Sequence, residues 1–155
     1  MDDLIAVRRA VDRLLAKDLG PLLDLLAEDV EFEVAMDDDG PTRWTAWGPQ
    51  AVVDYFDGLG GLVAFWQMDY GTAPGQVIAW GKERFTVERC ELEGACEFAL
   101  VFEIAEGMVT RLLVVEDLPT YVRDGGSLVA GSTVDEAGLV LAEDDVVASQ
   151  AAAAV

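Results

Sequence analysis

Residues 102–122 read FEIAEGMVTRLLVVEDLPTYV, and the way this stretch folds back on the residues before it decides the architecture. Two apolar, strand-like runs, 95–104 and 108–117, flank Ala105-Glu106-Gly107, a turn signal. Two registers are open. A two-residue turn sends Leu113, Val115 and Asp117 inward, to the face that holds Phe102. A three-residue turn with a glycine bulge sends Leu112, Val114 and Glu116 there instead. In both settings one carboxylate of the Glu116-Asp117 pair faces the concavity.

Working upstream, further strands are expected over 63–70, 76–80 and 83–92, with turns or bends at Gly71 to Gly75 and at Gly81. Glu93-Gly94 fits a two-residue turn that pairs Leu92 with Ala95. That register sets Phe85, Val87, Arg89 and Glu91 opposite Phe102, Leu100, Phe98 and Cys96, on one largely apolar face. Cys90 then falls on the other face from Cys96, and no disulfide between them is expected. Nearer the N-terminus, Leu4, Val7, Val11, Leu14 and Leu15 recur at helical spacing and predict a helix over 4–17. Asp18 caps a second, short helix that has Gly20-Pro21 at its start and Leu22, Leu23, Leu25 and Leu26 as its apolar body. The period then changes to two: Val30, Phe32 and Val34 alternate with Glu31 and Glu33, the pattern of a half-buried strand. Residues 36–48, with Trp44 and Trp47, read as a loop. Gly48-Pro49 opens a third helix carrying Val52, Val53, Tyr55, Phe56 and Leu59. Residues 1–122 form one domain on this reading. Residues 123–155, rich in Gly, Ala, Val and Ser, form an acidic extension after the last base, Arg123.

Composition narrows the function classes. The chain has 155 residues, 52% of them hydrophobic, enough to bury a core. Thirty acids against ten bases give a formal net charge of −20, which repels nucleic-acid phosphates and anionic lipid, so neither is an expected partner. No apolar run is long enough to span a bilayer. The acidic start MDDLIAVRR does not resemble a signal peptide, and a cytoplasmic location is expected. Histidine is absent. Histidine acid–base chemistry, histidine-dependent triads and the commonest zinc and iron ligand sets are therefore excluded, and no metal or cofactor is expected. Asp37-Asp38-Asp39 lacks the ligand spacing of a calcium loop. Two cysteines are too few for a disulfide framework.

The order helix, short helix, strand, helix, then a long antiparallel meander resembles the nuclear transport factor 2-like cone fold. Within it, the chain resembles the SnoaL-like polyketide cyclases and ketosteroid-isomerase-like enzymes. The segments that carry the likeness are DLGPLLDLLAEDVEFEV at 18–34, WGPQAVVDYFDGL at 47–59, VIAWGKERFTV at 77–87 and the 102–122 stretch quoted above. The resemblance implies an α+β fold, a cone-shaped curved antiparallel or mixed sheet whose N-terminal helices enclose a pocket. It also implies a homodimer formed back to back through the sheet, with Val101, Leu113 and Val115, or their neighbours, at the contact.

The resemblance also frames the chemistry. At the positions matching the catalytic aspartate, oxyanion tyrosine and partner aspartate of ketosteroid isomerases stand Val34, Ala10 and Leu100, so steroid isomerisation is disfavoured. The histidine–aspartate pair of polyketide cyclisation has no counterpart. Epoxide hydrolases of this fold use Arg-x-Asp on the long strand, and Arg89-Cys90-Glu91 is similar to it. Their second aspartate matches Val114, so Glu116 or Asp117 would have to replace it. The candidate acid–base set is thus Glu116, Glu91 and Asp117, with Arg89 as electrostatic partner. Val34, Trp44, Tyr55, Trp66, Phe85, Val87, Leu100, Phe102 and Val114 are the candidate lining of a site for a small apolar, polyketide- or terpenoid-like molecule. The expected activity is a cofactor-independent isomerase, cyclase or hydrolase reaction by carboxylate acid–base chemistry. The alternative is a non-catalytic ligand-binding or accessory protein of the same fold.

Overall fold

The computed structural model describes residues 2–37, 41–58, 62–87, 92–116, 133–135, 138–140 and 147–149. Helix α1 (Asp3–Leu15) begins where Asp2 accepts a hydrogen bond from the Leu4 N–H, 2.8 Å, a side-chain N-cap. Val7, Ala10, Val11 and Leu14, spaced three and four apart, form its buried stripe. It stops two residues before the predicted end. Lys17 adopts a left-handed φ of 63°, the Lys17 N–H donates to the Leu14 carbonyl at 2.9 Å, and the Asp18 N–H donates to that of Arg13 at 2.9 Å. This is a Schellman close without glycine. Asp18 then accepts from the Gly20 N–H and from Arg13, both at 2.9 Å, which holds the turn into α2 (Gly20–Leu25). Those bonds keep its carboxyl below the usual aspartate range, the Gly20 N–H contributing most.

The main sheet has seven strands: β1 (Leu26–Asp37), β2 (Pro41–Trp47), β3 (Leu62–Ala73), β4 (Gln76–Val87), β5 (Leu92–Ala105), β6 (Met108–Val115) and β9 (Val147–Ser149). Their order is β2-β1-β6-β5-β4-β3-β9. It is a mixed sheet, because β1 runs parallel to β6 while the other pairs are antiparallel. Helix α3 (Pro49–Gly58) packs against β1 and β2, and α1 against β3 and β4, so both helices lie on one side of the sheet. Two short strands, β7 (Thr133–Asp135) and β8 (Gly138–Val140), pair with each other, and β9 extends the main sheet along β3.

Three expectations are corrected. In the segment read as a loop at 36–48, residues 36–37 end β1 and residues 41–47 form β2, paired in register from Glu31↔Trp47 to Asp37↔Pro41; residues 38–40 lie outside the described residues. Gly81 does not reverse the chain: it is a strand residue opposite Phe98, beside a register shift between β3 and β4, and β4 runs unbroken from Gln76 to Val87. The β4–β5 hairpin does not turn at Glu93-Gly94: Gly94 pairs with Phe85 and the ladder closes at Val87↔Leu92. The observed register differs from the predicted one by an even number of residues. Arg89, Cys90 and Glu91 lie outside the described residues.

The β5–β6 hairpin combines features of both predicted registers. Its turn is two residues, Glu106 (φ 53°) and Gly107 (φ 76°), both left-handed as a type I′ turn requires. Ala105 pairs with Met108 and Ile104 with Val109, but Glu103 pairs with Arg111. Thr110 is therefore the extra residue of a bulge, and beyond it the phase reverses. Leu112, Val114 and Glu116 consequently share the face of Phe102 and Leu100.

Each face carries an apolar layer. On the helix side, Val30, Phe32, Val34, Met68, Tyr70, Val77, Ala79, Phe98, Leu100, Phe102, Leu112 and Val114 pack with the α1 stripe, Leu22 and Val52. The opposite side buries Ala35, Ile78, Ala99, Val101, Leu113 and Val115. Val101, Leu113 and Val115, the residues expected at a back-to-back dimer contact, are 2%, 2% and 0% exposed within the single chain.

Candidate active site

On the helix side, one row of side chains crosses five strands. Val34 pairs with Val114, Val114 with Leu100, Leu100 with Ala79, and Ala79 with Tyr70. All five are buried. Glu116 follows one step beyond this row on the β6 side, where its N–H donates to the Ala35 carbonyl at 3.2 Å and carries the β1–β6 ladder one bond past the strand. Strand alternation then turns its side chain to the inner face.

A partner from α3 meets it there. The Tyr55 hydroxyl donates a hydrogen bond to Glu116 Oε1 across 61 positions of sequence. Tyr55 is held from two sides: its ring meets Phe32 edge-on at 5.4 Å between centroids and Phe56 at 5.1 Å. Such offset aromatic contacts favour one orientation over a freely turning ring. Both members of the pair are half-buried. One carboxylate oxygen is occupied by tyrosine, and a carboxylate has further lone pairs on the other. The arrangement suits a base aimed from the wall of an apolar surface, with a phenol to steady it in both protonation states.

Of the candidates read from the sequence, Glu116, Tyr55, Val34, Leu100, Phe102 and Val114 come together on this face. Trp44 sits in β2 opposite Val34, Trp66 in β3 opposite Lys82, Phe85 in β4 opposite Gly94, and Val87 opposite Leu92. Arg89, Glu91 and Asp117 lie outside the described residues. No cluster of metal-ligating side chains occurs among the described residues.

Tyr70 is the residue that sequence reading did not single out. It lies in phase with Met68, the spacing of an inward strand residue, but it closes the predicted strand 63–70 beside the turn expected at Gly71, whereas β3 continues to Ala73. The side chain is 2% exposed, and its hydroxyl has no hydrogen-bond partner among the described residues. The Arg8 guanidinium of α1 stands over its ring, 5.7 Å from the centroid. Burial first, and the charge of Asp12 second, push its ionisation well above the ordinary phenol range, and Arg8 offsets only part of this. The group is thus a neutral donor at any physiological pH.

Neither a family model nor a curated protein sequence matches the chain. Solved structures do. An NTF2-like protein of unknown function from Burkholderia pseudomallei aligns with a TM-score of 0.63 at 17% identity, over 79% of this chain and 97% of that one. The fold is nuclear transport factor 2-like. A candidate polyketide cyclase from Silicibacter sp. aligns at TM-score 0.60 and 14% identity, over 81% and 96% of the two chains. A candidate isomerase from Rhodopseudomonas palustris aligns at TM-score 0.56 and 16% identity, over 76% and 90%. At these identities the likeness is one of fold.

On the far side of the sheet, Arg111 forms the centre of an ion-pair group. It pairs with Glu33, with Glu103 at 3.3 Å and with Glu31 at 3.5 Å. Burial opposes the guanidinium charge, but the hydrogen bond and charge of Glu33, with those of Glu103, outweigh it and raise the Arg111 pKa. Glu33 is 7% exposed, and this contact contributes to holding a carboxylate there. The group faces away from Glu116 and belongs to the stability of the sheet.

Proposed function

We propose that this NTF2-like protein is a cofactor-independent enzyme that moves a proton on a small, largely apolar molecule, with Glu116 as the acid–base group. The single observation that carries the reading is the Tyr55–Glu116 hydrogen bond on a wall otherwise made of Val34, Leu100, Phe102 and Val114. A carboxylate there removes a proton from a carbon next to a carbonyl, leaving an enolate. The resulting carboxylic acid returns the proton to a different carbon, or the enolate carbon attacks a second carbonyl and closes a ring, and the acid gives its proton to the alkoxide that this forms. Tyr55 is a positioning residue: it fixes which oxygen of Glu116 faces the substrate and supports the charge while the proton is absent. Neighbours of the same fold carry the names candidate polyketide cyclase and candidate isomerase, which supports this class of reaction.

The test is deuterium incorporation at the acidic carbons of 2-tetralone in D2O, followed by proton NMR. Wild-type protein is expected to accelerate exchange above buffer, and Glu116→Gln to lower the rate by about 10²–10⁴-fold, the usual worth of a positioned acid–base group. Equal rates in wild type and variant would remove Glu116 from the chemistry. The apolar residues Val34, Leu100, Phe102 and Val114 also fit the second reading, a binding protein without turnover. In that case 2-tetralone binds and no exchange exceeds buffer.

A further inference from the structure

Tyr70 marks the other end of the same buried row, three strands from the strand of Glu116, about 14 Å across a flat sheet at ordinary strand spacing. Its hydroxyl is enclosed on the helix side of the sheet, under α1, with no partner among the described residues. Buried hydroxyls almost always have a partner, because leaving one unmade costs more than a made bond contributes. The side chains between the two ends are small or aliphatic: Ala79 on β4, Leu100 on β5 and Val114 on β6, with Gly81 next along β4. A polar group kept at one end of an apolar row, with a tyrosine-held carboxylate at the other, matches a molecule with oxygen at both ends.

We infer that the Tyr70 hydroxyl is a binding group for the substrate, donating a hydrogen bond to an oxygen, hydroxyl or carbonyl, at the end remote from the carbon that Glu116 deprotonates. This rests on the proposed function and narrows its substrate to a fused two- or three-ring molecule with oxygen functions at opposite ends. The ring of Tyr70 is held against α1 by Arg8, so the hydroxyl is presented in one direction. A molecule lacking the distal oxygen leaves that hydroxyl unpaired, and the site discriminates against it for the same reason that buried polar groups enforce selectivity elsewhere.

The experiment compares 2-tetralone with 6-hydroxy-2-tetralone, which keeps the acidic carbons and adds an oxygen at the far end. Deuterium exchange gives kcat/KM and tryptophan fluorescence gives Kd for both, in wild type and Tyr70→Phe, with thermal melts confirming that the variant is folded. The wild type is expected to favour the hydroxylated ketone by about tenfold, one neutral hydrogen bond, and Tyr70→Phe to bring that ratio to about one. An undiminished preference in the variant, or none in the wild type while exchange proceeds, overturns the role of Tyr70 and leaves that of Glu116 standing. If neither ketone exchanges, the proposed chemistry fails, and the same ratio measured from Kd values decides the Tyr70 assignment by itself.

Discussion

Replacing Tyr70 by Phe is expected to stabilise the free protein, an unusual direction for a change at a fully buried position. The ring is 2% exposed, so its apolar part makes the same contacts in the variant and opens no cavity. Arg8 retains an aromatic face at the same place, which preserves most of that contact. What changes is one hydroxyl, solvated in the unfolded chain and without a partner among the described residues in the folded one. An unmade bond of this kind costs roughly 1–3 kcal/mol. Taking the lower part of that range, removal of the hydroxyl returns about 1 kcal/mol. For a chain of this size that is a rise of about 2–4 °C in Tm. Urea unfolding with an unchanged m-value is the assay, since an altered slope would mean a change in compactness instead. A loss of about 1 kcal/mol or more would refute the reasoning, because it would mean that the hydroxyl makes a bond in the folded chain. A stabilised variant with weaker selectivity would identify Tyr70 as a residue kept for function at the expense of stability.

Arg111→Met takes away one of the groups that hold the buried Glu33 carboxylate. Because Arg111 is itself about a quarter exposed, the cost is screened below that of a fully enclosed pair, and about 2 kcal/mol is expected. Chemical denaturation measures it, and adding Glu33→Gln should recover most of the loss. Asp69 carries a carboxyl raised above 3.8 by burial, so the folded state holds that proton more tightly than the unfolded one. Its cost to stability is absent below that value and builds as pH rises through the folded pKa. Asp69→Asn should therefore melt higher than wild type at pH 7, with the two curves converging below about pH 3.8; a difference that persists in acid would assign the effect to something other than ionisation.

The layered α+β arrangement was readable because most elements announce themselves locally. The α1 stripe at Val7, Ala10, Val11 and Leu14, the alternation of Val30, Phe32 and Val34, and the Gly48-Pro49 start of α3 are each decided by neighbours in sequence. Register was not, and the reason is physical. In β6 the run Leu112 to Val115 is buried on both faces, so alternation has no polar phase to fix which side is inward. The decision rests on the bulge at Thr110, a feature of backbone geometry with no residue signature of its own. The β4–β5 hairpin failed differently. Glu93-Gly94 is a good local turn, but longer strands with more cross-strand partners outweigh it, and Gly94 is absorbed into β5. In the segment read as a loop, Asp37-Asp38-Asp39-Gly40-Pro41 carries the turn chemistry, while Thr42 to Trp47 has the β-branched and aromatic content of a strand. Of the candidate site, Glu116 was legible as a strand-end acid and Tyr55 as an apolar-face aromatic. Their hydrogen bond was not, since it joins α3 to the end of β6 through the tertiary fold alone.

The account turns on Glu116 and Tyr55 acting as one unit, and a double-mutant cycle on the exchange rate of 2-tetralone measures that directly. Tyr55→Phe and Glu116→Gln should each slow exchange, and the double variant should be no slower than Glu116→Gln alone, because the phenol acts only through the carboxylate. Losses that multiply, or exchange that survives Glu116→Gln undiminished, would contradict it.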